Sequence, residues 1–315
     1  MLPKPHVLVS SLCLAAAALA IEPPSPPIYG VRMEKVWIPM KDGVRLAATL
    51  YQPDGAQPGE KFPAVLDYLP YRKDDSTAAG DYPKNAYFAR RGYVGARVDI
   101  RGFGSSEGHP TDREYSEQEQ IDGEQVIHWL ATQPWSNGKV GMYGISWGGF
   151  NALQMAMRNP PELKAIIATD ATEELFHDDI HYIDGMMHVD EFELNMDMAL
   201  GITGAPDYTL DEGVLGPRFD AAPWSLLYFK HQRDGPFWKN PVRPLHEIKV
   251  PLLFDRRTSR WLSRQHPTHA GAGESAGARA RGTVESLKSQ RRRLWTAHRV
   301  ARGCRAMVGL LAQGP

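Results

Sequence analysis

The chain has 315 residues, of which 42% are hydrophobic and 23% are charged, and its formal net charge is −1. This composition is ordinary for a soluble globular protein. The length allows one large domain or two small ones, and the near-zero net charge gives no indication of a nucleic-acid partner.

The N-terminal segment is typical of a secretory signal peptide. Lys4 supplies a weakly basic start, residues 7–19 form an apolar run, and Ala18-Leu19-Ala20 fits the small-x-small pattern of a cleavage site. The alternative is a short membrane anchor, but the run is shorter than the ~20 apolar residues that span a bilayer. We therefore expect residues 1–20 to be removed, the protein to be secreted or periplasmic, and no membrane span to follow.

Strand and helix signals alternate after a Pro-rich linker. Asp42-Gly43 separates two extended, alternating runs at 35–39 and 44–51, which predicts a β-hairpin. Apolar runs and helix-like spacing then predict strands at 62–69, 93–100, 138–145, 163–169 and 250–254, and helices at 85–91, 116–132 and 148–158. This alternation predicts an α/β fold, in which a mostly parallel sheet is covered by helices on both faces.

Residues 171–245 interrupt that alternation. They are rich in acidic residues, Met and aromatic residues, with Gly and Pro scattered through them, which favours helical inserts over another sheet repeat. Long insertions in parallel-sheet enzymes are usually functional and often form lids. We therefore expect a helical cap at about 171–245.

The last part of the chain differs from the rest in charge. Residues 1–254 carry 23 Lys and Arg against 34 Asp and Glu, whereas residues 255–315 carry 13 against 3. The tail is rich in Arg, Ala, Gly and Ser without convincing periodicity, so we expect it to be poorly ordered. Its excess of positive charge motivates one alternative function, the binding of nucleic acid or of an anionic surface. No recognisable binding module accompanies the tail, and we expect no nucleic-acid partner.

Gly144-Ile145-Ser146-Trp147-Gly148 matches the motif G-x-S-x-G. A predicted strand ends just before it and a predicted helix starts just after it, which is the strand–turn–helix context of a nucleophile elbow. Such a sharp turn requires small residues two positions from the serine, and Gly144 and Gly148 meet that requirement. The helix N-terminus favours negative charge that develops beside the hydroxyl. The alternative is a glycine-rich loop in which Ser146 only caps the helix.

Further segments extend this motif into a longer pattern. They are Lys41-Asp42-Gly43-Val44, Pro70-Tyr71, Asp99-Ile100-Arg101-Gly102, Gly104-Ser105-Ser106-Glu107-Gly108, Trp129-Leu130, residues 133–142 and Ile248-Lys249-Val250-Pro251. Over about 35–254 the chain thereby resembles the serine hydrolase family that contains cocaine esterase, Xaa-Pro dipeptidyl-peptidase and α-amino-acid ester hydrolases. The resemblance implies an α/β-hydrolase fold and cleavage of esters or amides through an acyl-enzyme, without a cofactor.

The resemblance also implies roles for individual residues. Ser146 is expected to attack the substrate carbonyl, and the backbone N–H of Trp147 to donate one hydrogen bond to the oxyanion. Tyr71 matches the tyrosine whose hydroxyl supplies the second donor; the alternative is a tyrosine with only local hydrogen bonds. Many relatives carry Tyr at the position of Trp147, which preserves the backbone role but changes the acyl pocket. Asp178 and Asp179 lie where some relatives bind a free α-amino group; the simpler interpretation is a solvated acidic face.

Two other groups of residues are given no catalytic role. Asp99 and Arg101 are typical of the family, and we expect them to fix the loop after their strand. The histidines and acids in the insert match no standard ligand spacing, so we expect no metal site at His177, His181, Asp184, His188 and Asp190.

The acid and base of a serine triad are left unassigned. In this fold the order along the chain is Ser, then Asp or Glu, then His, and in the family the acid follows the strand that begins like residues 248–251, in a Gly-Gly-Trp-containing segment. Here Asp255 lies too early, and no tail histidine has matching surroundings (His266, His269, His298). The family's C-terminal β-sandwich has no counterpart. We interpret residues 21–254 as a partial α/β-hydrolase domain and hypothesise that 255–315 come from a shifted reading frame or a mispredicted exon.

Besides binding of nucleic acid or an anionic surface by the tail, the sequence supports two functional hypotheses. The first is an active secreted hydrolase for a small ester or peptide-like substrate, which needs a base from the tail or from another chain. The second is a truncated hydrolase-like protein that binds without turnover, because loss of the triad acid and base lowers the rate by roughly 10³–10⁶. The substrate, the preference for esters or amides, and the oligomeric state are left open.

Overall fold

The computed structural model describes residues 25–75, 77–172, 175–177, 182–183, 186–187, 218–239 and 247–254. The strands are β1 (Gly30–Pro39), β2 (Arg45–Asp54), β3 (Phe62–Leu69), β4 (Val94–Asp99), β5 (Ser136–Ile145), β6 (Leu163–Thr169), β7 (Tyr182–Ile183), β8 (Met186–Met187) and β9 (Leu252–Phe254). The helices are α1 (Ala78–Ala89), α2 (Glu117–Thr132), α3 (Trp147–Arg158), α4 (Trp224–Lys230) and α5 (Pro236–Lys239).

Seven of the strands form one sheet in the order β1-β2-β4-β3-β5-β6-β9. The predicted hairpin is confirmed: β1 and β2 pair antiparallel, and Gly43 in their turn has a φ of +91°, a conformation that glycine adopts without strain. Strand β2 also pairs antiparallel with β4, and every later pair, from β4 through β3, β5 and β6 to β9, is parallel. The prediction of a mostly parallel sheet in an α/β fold is therefore confirmed.

Helices cover both faces of the sheet. Alternate residues of β3 point to opposite faces. Leu66 belongs to the larger buried cluster, with Ile127 of α2 and Leu153 of α3. Val65 belongs to a second cluster, with Phe88 of α1. Helices α2 and α3 therefore share one face, and α1 packs on the other.

Most predicted elements agree with the structure to within one or two residues, and α1 is the main exception. It begins at Ala78, seven residues before the predicted start. Gly80 and Pro83 lie inside its first half, and both disfavour helix on local grounds. Tertiary contacts override that preference, because the buried Asp81 carboxylate accepts a hydrogen bond from Arg97 on β4 (Nε–Oδ2 3.0 Å). The predicted helix at 85–91 is therefore present as far as Ala89, but its predicted start is wrong.

The insert is not purely helical where it is described. Helices α4 and α5 agree with the predicted helical character, but β7 and β8 form a separate antiparallel pair. In the sequence, Asp184-Gly185 stands between the two strands, and Asp-Gly favours a tight hairpin turn. A local turn signal therefore accounts for this departure from the helical prediction.

Candidate active site

Ser146 forms the whole junction between β5 and α3. Its φ of 53° and ψ of −124° lie in the sparsely populated positive-φ region for a residue with a side chain. Two backbone hydrogen bonds hold this turn: Ser146 N–H donates to Thr169 at the end of β6 (3.0 Å), and Phe150 N–H donates to the Ser146 carbonyl (2.9 Å). The strand–turn–helix geometry of a nucleophile elbow is thus present at the predicted residue.

The hydroxyl of Ser146 is not used by the helix. Ser146 occupies the N-cap position of α3, but its side chain makes no capping hydrogen bond, and the residue is exposed. The alternative interpretation of Ser146 as a simple helix cap is therefore wrong. The exposed hydroxyl sits at the N-terminus of a 12-residue helix, where partial positive charge favours an anionic oxygen.

Two glycines, Gly144 and Gly149, let α3 approach the sheet. A methyl group on Gly144 would collide with the backbone of Gly148, where the strand and the helix cross. A methyl group on Gly149 would lie 2.5 Å from the carbonyl oxygen of Thr169. Gly144 of the motif is therefore required by close backbone contact, as the elbow interpretation predicts.

Trp147 packs its side chain into the core directly after the nucleophile. It is 1% exposed, and its ring lies against Tyr115 (5.2 Å between centroids) and Trp224 of α4 (5.5 Å). As the first residue of α3, its backbone N–H has no acceptor within the helix. That N–H can therefore serve as the predicted oxyanion donor.

Tyr71 follows β3 at the same edge of the sheet. Strands β3 and β5 are parallel neighbours, so their carboxyl ends lie side by side. The half-buried Tyr71 meets the Trp147 ring edge-on, with 6.3 Å between centroids. The structure thus brings Tyr71 beside the elbow, while the oxyanion role of its hydroxyl stays a prediction.

A buried glutamate beside the elbow was not predicted. Glu119 is 1% exposed, and its Oε1 accepts hydrogen bonds from Trp147 Nε1 and from Asn151 Nδ2, each at 2.8 Å. Burial raises the pKa of this carboxyl to about 7, although both hydrogen bonds act to lower it. The sequence carried a partial signal, because Ser116-x-x-Glu119 is the pattern of a helix capping box, and Ser116 Oγ does accept from Glu119 N–H (3.1 Å).

Asp99 and Arg101 fix the loop after β4, as expected. The Asp99 carboxylate accepts hydrogen bonds from the backbone N–H groups of Lys73 (2.9 Å) and Ser105 (3.1 Å). Arg101 donates bidentate hydrogen bonds to the Asp122 carboxylate on α2 (2.6 and 2.8 Å). It also forms an ion pair with Asp42 in the first hairpin (2.8 Å). These contacts agree with a structural role for both residues.

Several other predicted residues lie outside the described part of the chain. Asp178 and Asp179 are among them, as are the tail histidines and Asp255. His177 is described and stacks edge-on against Phe176 (5.0 Å between centroids). The triad acid and base therefore stay unassigned.

A concave region also lies away from the elbow. A cavity of about 490 Å³ lies between the start of α2 and α5, and Ser146 does not line it. Within the described ranges, no group of three or more His, Cys, Asp or Glu is placed to hold a metal ion. Among the helices described, none is long and apolar enough to cross a membrane.

A mostly parallel sheet with a serine held at positive φ between a central strand and the following helix defines an α/β-hydrolase. Comparison with family models narrows this class. The model of the X-Pro dipeptidyl-peptidase (S15) family matches residues 42–256. The chain belongs to that family, which confirms the resemblance found in the sequence.

Individual relatives are similar over part of their length. Cocaine esterase of Rhodococcus sp. (strain MB1 Bresler) is 37% identical over 142 residues, which are 45% of this chain and 24% of that protein. A CocE/NonD family hydrolase from Staphylococcus aureus superposes with a TM-score of 0.55 at 24% identity, over 70% of this chain and 40% of that one. An α-amino acid ester hydrolase superposes with a TM-score of 0.54 at 23% identity, over 76% and 45%. The chain thus spans less than half the length of each of these relatives.

Proposed function

We propose that the chain supplies the nucleophile and oxyanion site of a serine hydrolase, which cleaves esters or amides through an acyl-enzyme on Ser146. The observation that supports this most strongly is the state of Ser146. It is exposed and held at positive φ, and its hydroxyl caps no helix. Backbone strain of this kind costs about 1–3 kcal/mol and persists where the surrounding structure enforces it, commonly at active sites.

The chemistry would proceed in two stages. Ser146 Oγ forms a bond to the carbonyl carbon while its proton passes to a base, and the carbonyl oxygen becomes an oxyanion. Trp147 N–H and the Tyr71 hydroxyl donate hydrogen bonds to that oxygen. Collapse breaks the bond to the alcohol or amine, which leaves with the proton, and water then releases the acyl group. The base and its acid come, in this proposal, from residues outside the described part or from another chain.

Two substrate classes fit the family. The matched family is named for X-Pro dipeptidyl-peptidase, and the relative from Rhodococcus is named as an esterase. We propose a small ester or peptide-like amide as the substrate. Parallel assays with an activated ester and an Xaa-Pro anilide would separate the two. We also propose export through the N-terminal signal, which N-terminal sequencing of secreted protein would test by finding Ile21 first.

The test of the proposed function is covalent labelling. The full chain is exposed to a fluorophosphonate probe beside Ser146→Ala. Labelling of the parent and its absence in the variant are expected. Tyr71→Phe should slow labelling by about 10²-fold if its hydroxyl binds the oxyanion. No labelling of a folded parent would show that Ser146 is not activated in this chain, which favours a hydrolase-like protein without turnover.

A further inference from the structure

Glu119 is a buried acid that links two helices at the elbow. It lies in the first turn of α2 and is 1% exposed. Its carboxylate accepts three hydrogen bonds: Oε1 from Trp147 Nε1 and Asn151 Nδ2 (both 2.8 Å), and Oε2 from the backbone N–H of Tyr115 (3.0 Å). Full hydrogen bonding of this kind is what a buried carboxylate requires.

Two of those three donors belong to the helix of the nucleophile. Trp147 and Asn151 are four residues apart, so they lie on one face of the first turn of α3. Asn151 Nδ2 also donates to the carbonyl of Tyr68 on β3 (3.0 Å). The carboxylate therefore ties the turn directly after Ser146 to α2, and Asn151 ties the same turn to the sheet.

We propose that Glu119 is a positioning residue for Ser146. By holding the Trp147 indole and Asn151, the Glu119 carboxylate fixes the backbone N–H of Trp147 that binds the oxyanion. The reactivity of Ser146 therefore depends on whether Glu119 is charged. The inference rests on the proposed function. Glu119 acts through Trp147, so it is not a catalytic residue.

The hydrogen-bond partners of the carboxylate favour its charged form, whereas burial favours its neutral form. All three partners donate, so a proton on Glu119 would find no acceptor among them. Rotating the Asn151 amide would offer its oxygen but would break the bond to Tyr68. The neutral acid therefore weakens the contact with the start of α3.

Opposing effects set the pH at which this happens. Burial raises the pKa of Glu119 to about 7, and the Glu114 carboxylate adds to the rise, while the bonds from Trp147, Asn151 and Tyr115 lower it. The other titratable and charged groups nearby are the Tyr68 hydroxyl, which donates to the Glu119 carbonyl, Tyr228 of α4, which donates to Glu114, and the Asp122–Arg101 pair. Protonation of Glu119 near neutral pH is the result.

The first experiment observes the indole and does not depend on activity. The eight tryptophans are labelled with ¹⁵N in the full chain, and Trp147→Phe assigns the signal of Trp147. That signal should titrate with a midpoint near 7, and Glu119→Gln should abolish the titration. Glu117→Gln is the matched control. It is the same substitution two residues away, at a half-exposed side chain that pairs with Arg158. A Trp147 signal that stays constant from about pH 5 to 9 would overturn the proposal.

The second experiment measures fluorophosphonate labelling rates. Near pH 8, Glu119→Gln should label about 10- to 100-fold more slowly than the parent, since a shift of about 1 Å at an active site costs that much. Glu117→Gln should label at the parental rate. A histidine base would titrate in the same range, so the comparison between variants is decisive. A folded Glu119→Gln that labels like the parent overturns the proposal. A folded parent that does not label instead overturns the proposed function, and the indole titration then decides alone whether Glu119 holds the elbow.

Discussion

Replacing Gly144 with Ala should damage the fold and the nucleophile together. The added methyl carbon would overlap the carbonyl group of Gly148 by roughly 1 Å or more, since carbon atoms pack at about 3.5–4 Å. The obstruction is backbone rather than a flexible side chain, so α3 must move away from β5. Forced overpacking of this kind costs about 3 kcal/mol.

That cost can be measured as a melting temperature. In a domain of this size each kcal/mol shifts Tm by roughly 2–4 °C, so Gly144→Ala should melt roughly 6–12 °C lower. Circular dichroism gives the Tm, and fluorophosphonate labelling near 25 °C reports the position of Ser146. The labelling rate should fall by about 10²-fold, because α3 carries the proposed oxyanion donor.

Gly80→Ala is the matched control. Gly80 is exposed in α1, and a methyl group there meets nothing within 4 Å. Alanine favours helix over glycine by roughly 0.5–1 kcal/mol, so this variant should melt at or above the parental temperature. If Gly144→Ala melts and labels like Gly80→Ala, the close crossing of β5 and α3 does not constrain the elbow, and the reasoning fails.

Two further predictions concern the backbone and the pH. Ser146→Gly and Ser146→Ala both remove the hydroxyl, but only glycine tolerates the φ of 53° without strain. The Gly variant should therefore be more stable than the Ala variant by about 1 kcal/mol in thermal unfolding. Equal stabilities would argue against strain at Ser146. Because burial raises the pKa of Glu119 from 4.5 to about 7, its contribution to stability is complete below about pH 4.5 and is lost as the pH rises through 7, a loss of about 3 kcal/mol. Urea unfolding of the parent and of Glu119→Gln at several pH values should show curves that separate over this range, and parallel curves would contradict a titrating buried carboxylate.

The sheet could be predicted from sequence because its signals are local. Strands β3 and β6 have the predicted bounds, Phe62–Leu69 and Leu163–Thr169, since each is a short apolar run that ends at polar or turn-forming residues. The start of α1 could not be predicted in the same way. Gly80 and Pro83 disfavour helix locally, and the contact that compensates for them, between Asp81 and Arg97, spans 16 residues and exists only in the folded chain.

The candidate site likewise has one residue with a local sequence signal, Ser146, and one whose role depends on long-range packing, Glu119. The G-x-S-x-G motif locates Ser146 because the turn itself demands small neighbours. Glu119 carries only a capping signal, which reports the start of a helix and says nothing of its contact with Trp147, 28 residues away in the sequence. A carboxylate whose partners come from another helix is visible only once the packing of α2 against α3 is known.

Among the described residues, the backbone contacts of Ser146 all lie upstream of β9. Its turn is held by Thr169, Phe150 and the glycine crossing, and the adjoining indole is held by Glu119. The turn of the proposed nucleophile is therefore built from residues that precede β9 in the sequence. If the proposed function holds, a base would meet a serine that is already held in its turn, so a second polypeptide could supply that base without remodelling the elbow.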